Sequence, residues 1–483
     1  MKPTKLLLAA ASLAIAAALP AQAQELVPYK QFTLSNGLQV VVHEDHNTPK
    51  VAVAVWYHVG SMNEPEGKSG FAHLFEHLMF NGSEHHDKEY MTPLQEIGVS
   101  GVNGATSLDQ TYYYEIVPTG GLERVLWLES DRMGYLPGAI TEAKLDEQRK
   151  VVQNEKRTRE NTPYALMDQR VGAALFPVGH PYHHPIIGSM EDLNAASLED
   201  VKGWFAQYYG AANAVVALSG DVTLDQAKAL MEKYFGSVPV GSPVSRTTGW
   251  VPVLERDKSE TMQDDVPQQA IAWNWAVPGN RAPEAQALQL AAQALGRGKS
   301  SRLYQVLVQE KQLATYASAQ YAGSAIAGVF SVDLRLKPGA DPVAAEAAVK
   351  QVLAEFLAKG PAPAELARVK ASGSADSARA MVSLSLFTPA AGPAAVETRQ
   401  AGDLEERARQ AHDPRDREEQ RDADEHGEAE TDGARLVLLL LRQLIGQHGD
   451  EDDVVDAEDD LEDRQRDERD GGLGGQQVRN ALG

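Results

Sequence analysis

Cysteine is absent from the 483-residue chain, and this absence excludes several kinds of chemistry at once. The protein has no disulfide bond, no thiolate metal site and no cysteine nucleophile, so a metal site must use His, Asp and Glu. Basic residues are also few, because 45 Lys and Arg stand against 68 Asp and Glu. The net charge of −23 disfavours nucleic acid as the main partner, since phosphates would be repelled.

The last 113 residues lack Lys, Trp and Tyr altogether. Residues 371–483 hold 13 Arg and 28 acidic residues, whereas Lys outnumbers Arg in the rest of the chain. Two explanations remain open for this acidic, Arg-rich tail. It is either a solvated, disordered segment with too little apolar surface to fold, or the translation of a shifted reading frame in a GC-rich gene.

Long apolar runs are equally scarce, and the longest stands at the N-terminus. Lys2 and Lys5 precede a predominantly apolar run over residues 6–19, which is followed by Pro20 and the small residues of an Ala-Gln-Ala site at 21–23. A run of about 14 residues is shorter than the roughly 20 that a spanning helix needs. The pattern predicts a signal peptide over residues 1–23 and export to the periplasm or beyond, with no membrane span in the mature chain.

Strand and helix patterns follow one another in two similar cycles. Val-rich strands after an Asn36-Gly37 turn lead into several helical patterns, and this first domain is predicted over residues 24–245. A second cycle over residues 246–370 has the same order but no His between 282 and 298, so we predict a non-catalytic repeat whose closing elements fall beyond residue 370. The fold class is α+β, with two tandem repeats of a mixed sheet flanked by helices.

The sequence His73-Leu-Phe-Glu76-His77 lies within a helical pattern over residues 71–80. A spacing of four residues turns a helix by about 400°, so the two imidazoles share one face and can bind one metal ion. Glu76 points to nearly the same side, where a general base would stand. The alternative is a pair of surface histidines, but the surrounding Phe, Leu and Met residues favour a buried helix in which unpaired His and Glu would be costly.

A third ligand can be sought on the helix predicted over residues 142–159 and just beyond its end. Glu147, Glu155 and Glu160 all lie on or beside this helix, and chemistry alone does not choose among them. The residues therefore leave the third ligand open.

Four segments form one recognisable pattern: the inverted HxxEH motif at 73–77, the glycine-rich run at 98–106 followed by Asp-Gln-Thr-Tyr-Tyr at 109–113, Val-Val-Gln-Asn-Glu at 151–155, and Ser-Ser-Arg-Leu-Tyr at 300–304. In these segments the chain resembles the pitrilysin/insulinase family of zinc peptidases, which includes the mitochondrial processing peptidases. The resemblance covers about residues 30–370. It implies one half of a clam-like peptidase.

The resemblance also implies site residues. It makes His73, His77 and Glu155 the ligands of one Zn²⁺ per chain and Glu76 the catalytic base. Gln148 stands where many relatives have a Glu that supports the ligand helix. A glutamine keeps the hydrogen bonds of that position but loses the charge, and Glu147 next to it is a further candidate for a side chain that hydrogen-bonds and orients a metal ligand.

A substrate edge is implied at the glycine-rich run. Asn103, Ala105 and Thr106 would hold the peptide as an added β-strand, although an ordinary glycine turn is the alternative for residues 98–104.

The function that follows is a secreted zinc-dependent metalloendopeptidase acting on peptides or unfolded polypeptides. Relatives carry an Arg and, seven residues later, a Tyr in the distal half, whereas here Tyr316 is preceded at that spacing by Gln309. The alternative is therefore a non-catalytic peptide-binding or accessory subunit, or a truncated peptidase that needs a partner half. That half would come from a homodimer or a separate subunit.

Overall fold

A computed structural model describes residues 28–382, except 246 and 248, together with residues 478–482. The predicted signal peptide and most of the acidic tail lie outside these described residues. Within the described part, no helix is both long enough and apolar enough to cross a bilayer.

The first repeat is built on a six-stranded mixed sheet. Its strands have the spatial order β1-β2-β6-β3-β5-β4, and every neighbouring pair is antiparallel except β2 and β6. They are β1 (Lys30–Thr33), β2 (Gln39–Glu44), β3 (Lys50–Tyr57), β4 (Ser100–Thr106), β5 (Thr111–Pro118) and β6 (Ala214–Gly220). Strand β4 therefore lies at one edge of the sheet.

Eight helices of the first repeat connect or cover these strands. They are α1 (Phe71–Leu78), α2 (Met91–Glu96), α3 (Leu122–Tyr135), α4 (Glu142–Glu160), α5 (Ala165–Leu175), α6 (Met190–Ala195), α7 (Leu198–Tyr208) and α8 (Leu224–Phe235). Side chains of Thr141, Ser197 and Thr223 accept hydrogen bonds from backbone N–H groups in the first turns of α4, α7 and α8. These caps satisfy donors that have no partner inside a helix.

The main core lies between the sheet and the helices. Strand β3 is central and buried along Val51–Tyr57, because its two faces pack against different groups. Val53 and Val55 join the helix-facing core, whereas Ala54 and Trp56 belong to a smaller cluster on the opposite face. A strand buried on both faces explains the unbroken apolar run in this part of the sequence.

The second repeat contains a five-stranded sheet with the order β7-β11-β8-β10-β9. Its strands are β7 (Lys258–Met262), β8 (Ala270–Pro278), β9 (Ala314–Gly323), β10 (Ala327–Leu336) and β11 (Val478–Leu482). Its α-helices are α9 (Ala285–Gly296), α10 (Pro342–Lys359) and α11 (Pro363–Val382), and the segment Tyr304–Glu310 is π-helical. The predicted α+β class with two repeated mixed sheets is confirmed.

Leaving out β1, the strands of the first sheet follow the same spatial order as the five strands of the second sheet. The two sheets differ in the direction of one strand. In the first repeat β6 lies between β2 and β3, and in the second β11 lies in the corresponding place between β7 and β8. Strand β6 is parallel to β2 and antiparallel to β3, whereas β11 is antiparallel to β7 and parallel to β8. Strand β11 therefore runs in the opposite direction to β6, its counterpart in the first sheet.

Candidate metal centre

Helix α1 carries the HxxEH motif and begins in an unusual way. Gly70 adopts a left-handed conformation, and the buried carboxylate of Glu64 accepts hydrogen bonds from the N–H groups of Gly70 (2.9 Å) and Ala72 (2.8 Å). A carboxylate from six residues upstream thus takes the place of an N-cap side chain. Because apolar residues of α1 fill the core, the ionisable side chains of the motif face the opposite side.

Three side chains from two helices converge on one point. The Nε2 atoms of His73 and His77 lie 3.6 Å and 3.4 Å from the same oxygen, Oε2 of Glu155. One ligand atom from each of these residues lies within 4.8 Å of the others. Bonds of about 2.05 Å to a tetrahedral ion place ligand atoms about 3.3 Å apart, so the two distances to Oε2 of Glu155 fit a zinc site.

Helix α4 presents one of its three candidate glutamates to this point. Glu155 faces the histidines, and its other oxygen is paired with Nη2 of Arg159 at 2.5 Å. Glu160 is paired with Lys156 at 2.8 Å, and Glu147 is exposed. Within the described residues, the structure therefore brings Glu155 and neither of its rivals to the histidines.

Burial sets the protonation of the cluster. Burial, followed by the neighbouring His77, lowers the pKa of His73 to about 4, and burial also lowers the pKa of His77. Both imidazoles are therefore neutral near pH 7 and each keeps a lone pair for a metal ion. Burial raises the pKa of Glu76 to about 7, against the opposing effect of a hydrogen bond from Thr106.

Gln148 on helix α4 contacts the ligand His77 and the residue Asn81 just after helix α1. Its side chain hydrogen-bonds the ring of His77 and donates to Oδ1 of Asn81 at 3.3 Å. The exposed Glu147 is not among the residues that line the described cavity at this site. The structure thus places Gln148, and not Glu147, next to a ligand.

A cavity of about 490 Å³ opens over the cluster. Its walls come from α1, α4, the edge strand β4 and a loop that contains Ile186 and Ile187. Thr106 in β4 donates from Oγ1 to Oε2 of Glu76 at 2.7 Å. Glu76, the candidate general base, is therefore hydrogen-bonded by strand β4, which also forms one wall of the cavity.

The glycine-rich run is a strand and not a simple turn. Residues Ser100–Thr106 pair with β5, and Ser107 N–H donates to the carbonyl of Gln110 to close the hairpin. Counting back from that bonded pair, the antiparallel alternation turns the main-chain groups of Gly104 and Thr106 away from β5. Gly104, which the sequence analysis did not single out, thus offers its main chain at the sheet edge, whereas Asn103 and Ala105 are paired with β5.

Other histidines are engaged elsewhere. In the loop at 180–184, Nε2 of His180 lies 3.2 Å from the carbonyl oxygen of Trp250, and Nδ1 of His183 lies 2.7 Å from that of Phe176. His184 faces Glu64 at 3.4 Å. Over the described residues, one group of three metal-type ligands is found, and it is the cluster of His73, His77 and Glu155.

Two family models match successive parts of the chain. The model described as insulinase (peptidase family M16) matches residues 39–186, and the model described as peptidase M16 inactive domain matches residues 195–372. The zinc protease PqqE of Helicobacter pylori is 34% identical over 365 residues, which are 73% of this chain and 80% of that protein. The chain belongs to the insulinase family of peptidases, M16. The resemblance inferred from the motifs is confirmed.

Solved structures of M16 proteins agree with this membership. A protease from Helicobacter pylori superposes with a TM-score of 0.70 and 25% identity, covering 95% of this chain and 99% of the other. Pitrilysin superposes with a TM-score of 0.56 at 20% identity, and the match covers 70% of this chain but 37% of pitrilysin. The likeness to pitrilysin concerns the fold alone. The superposition aligns this chain with about a third of the longer pitrilysin chain.

Proposed function

We propose that this M16 protein is an exported zinc metalloendopeptidase that hydrolyses peptides or unfolded polypeptides. The observation that carries the proposal is the convergence of His73, His77 and Glu155 on one point, with Glu76 beside them in the same cavity. Relatives named zinc proteases support the choice of metal. One Zn²⁺ per chain is the expected content.

The side chains of the cluster suit metal-assisted hydrolysis. When bound, zinc supplies Lewis acidity that activates a water molecule and polarises the scissile carbonyl. Neutral His73 and His77 and the carboxylate of Glu155 form the donor set, and Arg159 holds the remaining oxygen of Glu155. Glu76 is placed to accept the proton from the attacking water and to return it to the leaving amine, while Thr106 fixes the direction of its carboxylate.

The edge strand suits the binding of an extended peptide. Gly104 turns its main-chain groups away from β5 and lines the cavity. A substrate strand added there would hydrogen-bond through its own main chain, so binding would depend little on side-chain identity. This arrangement supports unfolded or short peptides as the substrate class.

A second candidate function is that of a half that works only with a partner. Gln309 occupies the position seven residues before Tyr316, and its side chain donates to the hydroxyl of Tyr304 at 3.3 Å. This repeat therefore offers no Arg there, and the missing cation would come from a second copy or from another subunit. Light scattering combined with activity at several protein concentrations distinguishes a self-associating enzyme from a monomer that lacks its partner.

Export is a separate part of the proposal and is supported by the N-terminal sequence. Lys2, Lys5 and the apolar run before residues 21–23 have the composition of a cleavable signal. Expression in a bacterial host, followed by cell fractionation and mass measurement, should give a periplasmic or secreted chain that begins at Gln24. An uncleaved chain in the cytoplasmic fraction would contradict export without affecting the assignment of the metal centre.

The central experiment is hydrolysis of a quenched-fluorescent, unstructured peptide by the mature protein, with zinc measured on the same sample. Glu76→Gln should lower the rate about a thousandfold while zinc content is kept, because it removes the general base and no ligand. Glu66→Gln, at an exposed position in the loop before α1, is the matched control. Equal rates for the two variants would refute the role of Glu76, and folded, zinc-loaded protein without activity would favour the partner-dependent half.

A further inference from the structure

A partly buried cluster of hydrogen bonds joins the two repeats next to the β4–β5 hairpin. The hydroxyl of Tyr182 donates to Oδ1 of Asp109 and accepts from the N–H of Ile326 at 3.0 Å. The second carboxylate oxygen of Asp109 accepts from the N–H of Ala325 at 2.8 Å. Two side chains of the first repeat thus bind two neighbouring N–H groups in the turn between β9 and β10. We call this set of contacts the Tyr182 clasp.

The clasp lies in an apolar environment. Tyr182 is buried beside Leu175, Phe176 and Ala327, and its ring meets that of Phe176 edge-on at 5.6 Å. Burial, and then the charge of Asp109, raise the pKa of Tyr182 far above its usual range, so its hydroxyl stays a donor. Hydrogen bonds to a carboxylate in such surroundings are strong.

The turn on the second repeat is itself rigid. Ser324 N–H donates to the carbonyl of Ala327, and Asn280 N–H donates to the carbonyl of Ser324 at 2.9 Å. A Cβ atom at Gly279 would lie 2.2 Å from that same carbonyl oxygen, so the neighbouring backbones are in close contact. The turn can therefore act as a fixed support for Asp109.

On the first repeat, the clasp holds the turn that ends the edge strand. Asp109 is three residues after Thr106, whose hydroxyl orients Glu76. The opposite side of the same turn is held by Ser61 N–H and Met62 N–H, which donate to the carbonyls of Ser107 and Leu108. Loss of the clasp removes the hydrogen bonds described above between this turn and the second repeat, so Thr106 and the edge strand should shift more easily.

We propose that Tyr182 and Asp109 are positioning residues through which the second repeat holds the β4–β5 hairpin, and with it Thr106, against Glu76. This inference rests on the proposed peptidase function. It gives the second repeat a part in the reaction, although no catalytic side chain comes from it. Neither residue is a member of the metal cluster, and we infer that the effect passes through the backbone of the hairpin.

The test compares two Tyr→Phe variants of the mature chain with zinc bound. Tyr182→Phe removes the hydroxyl of the clasp, and we expect kcat for the quenched peptide to fall about tenfold to a hundredfold, because small displacements of reacting groups have effects of this size. Tyr164→Phe is the matched control, since the Tyr164 hydroxyl also joins the repeats by donating to the carbonyl of Gln268 at 2.9 Å, away from the hairpin. Its kcat should stay within about twofold of wild type.

Hydrogen exchange gives a readout that does not depend on activity. Amides of residues 104–111 should exchange faster in Tyr182→Phe than in Tyr164→Phe, while zinc content remains equal in both. A second pair of variants tests the clasp if Tyr182→Phe folds poorly. Asp109→Asn keeps an acceptor for Ala325 N–H, whereas Asp109→Ala does not. Both kcat and the exchange rate of Asp109→Asn should therefore lie between those of wild type and of Asp109→Ala. Unchanged exchange over residues 104–111 in Tyr182→Phe would overturn the role of the clasp. Faster exchange in Tyr182→Phe together with an inactive wild-type protein would overturn only the peptidase function.

Discussion

At the scale of single residues, the environment of His77 depends on a glutamine. Gln148 bonds the His77 ring from the adjacent helix, and Nδ2 of Asn81 is buried without a hydrogen-bond partner. A carboxylate at position 148 would be a stronger acceptor for the imidazole N–H. It would lose the present hydrogen bond from Gln148 to Oδ1 of Asn81 but, with the Asn81 side chain flipped, would accept from the now unpaired Asn81 amide instead. A partner that hydrogen-bonds the non-ligating nitrogen of a ligand histidine increases the basicity of that histidine.

Gln148→Glu should therefore bind zinc about tenfold more tightly. Competition with a chromogenic chelator measures the change in zinc Kd. Glu147→Gln is the matched control, because it alters an exposed neighbour on the same helix and should leave Kd unchanged. A Kd for Gln148→Glu that is equal to or weaker than that of wild type would show that position 148 does not tune the ligand.

At the scale of elements, the position of helix α1 depends on a glycine contact. Gly188 has a φ of 75°, and a Cβ atom there would lie 2.3 Å from the carbonyl oxygen of Ser69 and 2.5 Å from Cα of Gly70. Both contacts are at the residues that immediately precede the helix with the HxxEH motif. Any side chain at position 188 must push the start of α1 away.

Gly188→Ala should lower the free energy of unfolding by about 2–4 kcal/mol, from backbone strain plus overpacking, and should weaken zinc binding. Gly179→Ala separates the two causes, because Gly179 also has positive φ (86°) but nothing within 4 Å of the new Cβ atom. It should cost about 1 kcal/mol and leave zinc binding unchanged. Urea unfolding with parallel zinc titration measures both quantities, and equal losses for the two variants would contradict the role of the contact.

Most longer elements were predictable because their signals are local. Helices α4, α7 and α8 begin at capping side chains and have apolar periodicity, and β3 is a continuous Val-rich run. Helices α2, α5 and α6 were not predicted. Pro93 lies inside the six-residue α2, and α5 begins after Tyr164 in a left-handed conformation, so neither starts with an ordinary signal. The positions of α2 and α5 follow from packing in the tertiary structure. Helix α6 does begin at a capping side chain, Ser189, but with six residues it is too short to show apolar periodicity.

At the scale of the whole molecule, acidic groups meet where α5 of the first repeat packs against the second sheet. Burial, opposed by Arg335 and reinforced by Asp168, raises the pKa of Asp333 from 3.8 to about 6. Burial also raises the pKa of Asp168. A carboxyl group whose pKa is raised by folding stabilises the folded state below its unfolded pKa, and this contribution is lost as pH rises through the folded value.

The stability of the wild-type protein should therefore fall between about pH 4 and pH 6–7 through this group, by at most about 3 kcal/mol. Asp333→Asn cannot ionise, so it should match wild type near pH 4 and be more stable near pH 7. Thermal unfolding at a series of pH values checks this, with the exposed Asp265→Asn as control. A constant difference between Asp333→Asn and wild type at all pH values would disprove the link to ionisation.

The part of the metal centre that is local to one helix can be derived from the sequence alone. His73 and His77 share a face because four residues make about one turn, and that relation needs no tertiary information. The third ligand, 78 residues further along the chain, depended on how α4 packs against α1, since Glu147, Glu155 and Glu160 could not be separated by their chemistry. The same holds for the main chain of Gly104 and for the Tyr182 clasp. Contacts between distant segments arise only when their surfaces pack, and no periodicity in the sequence records them.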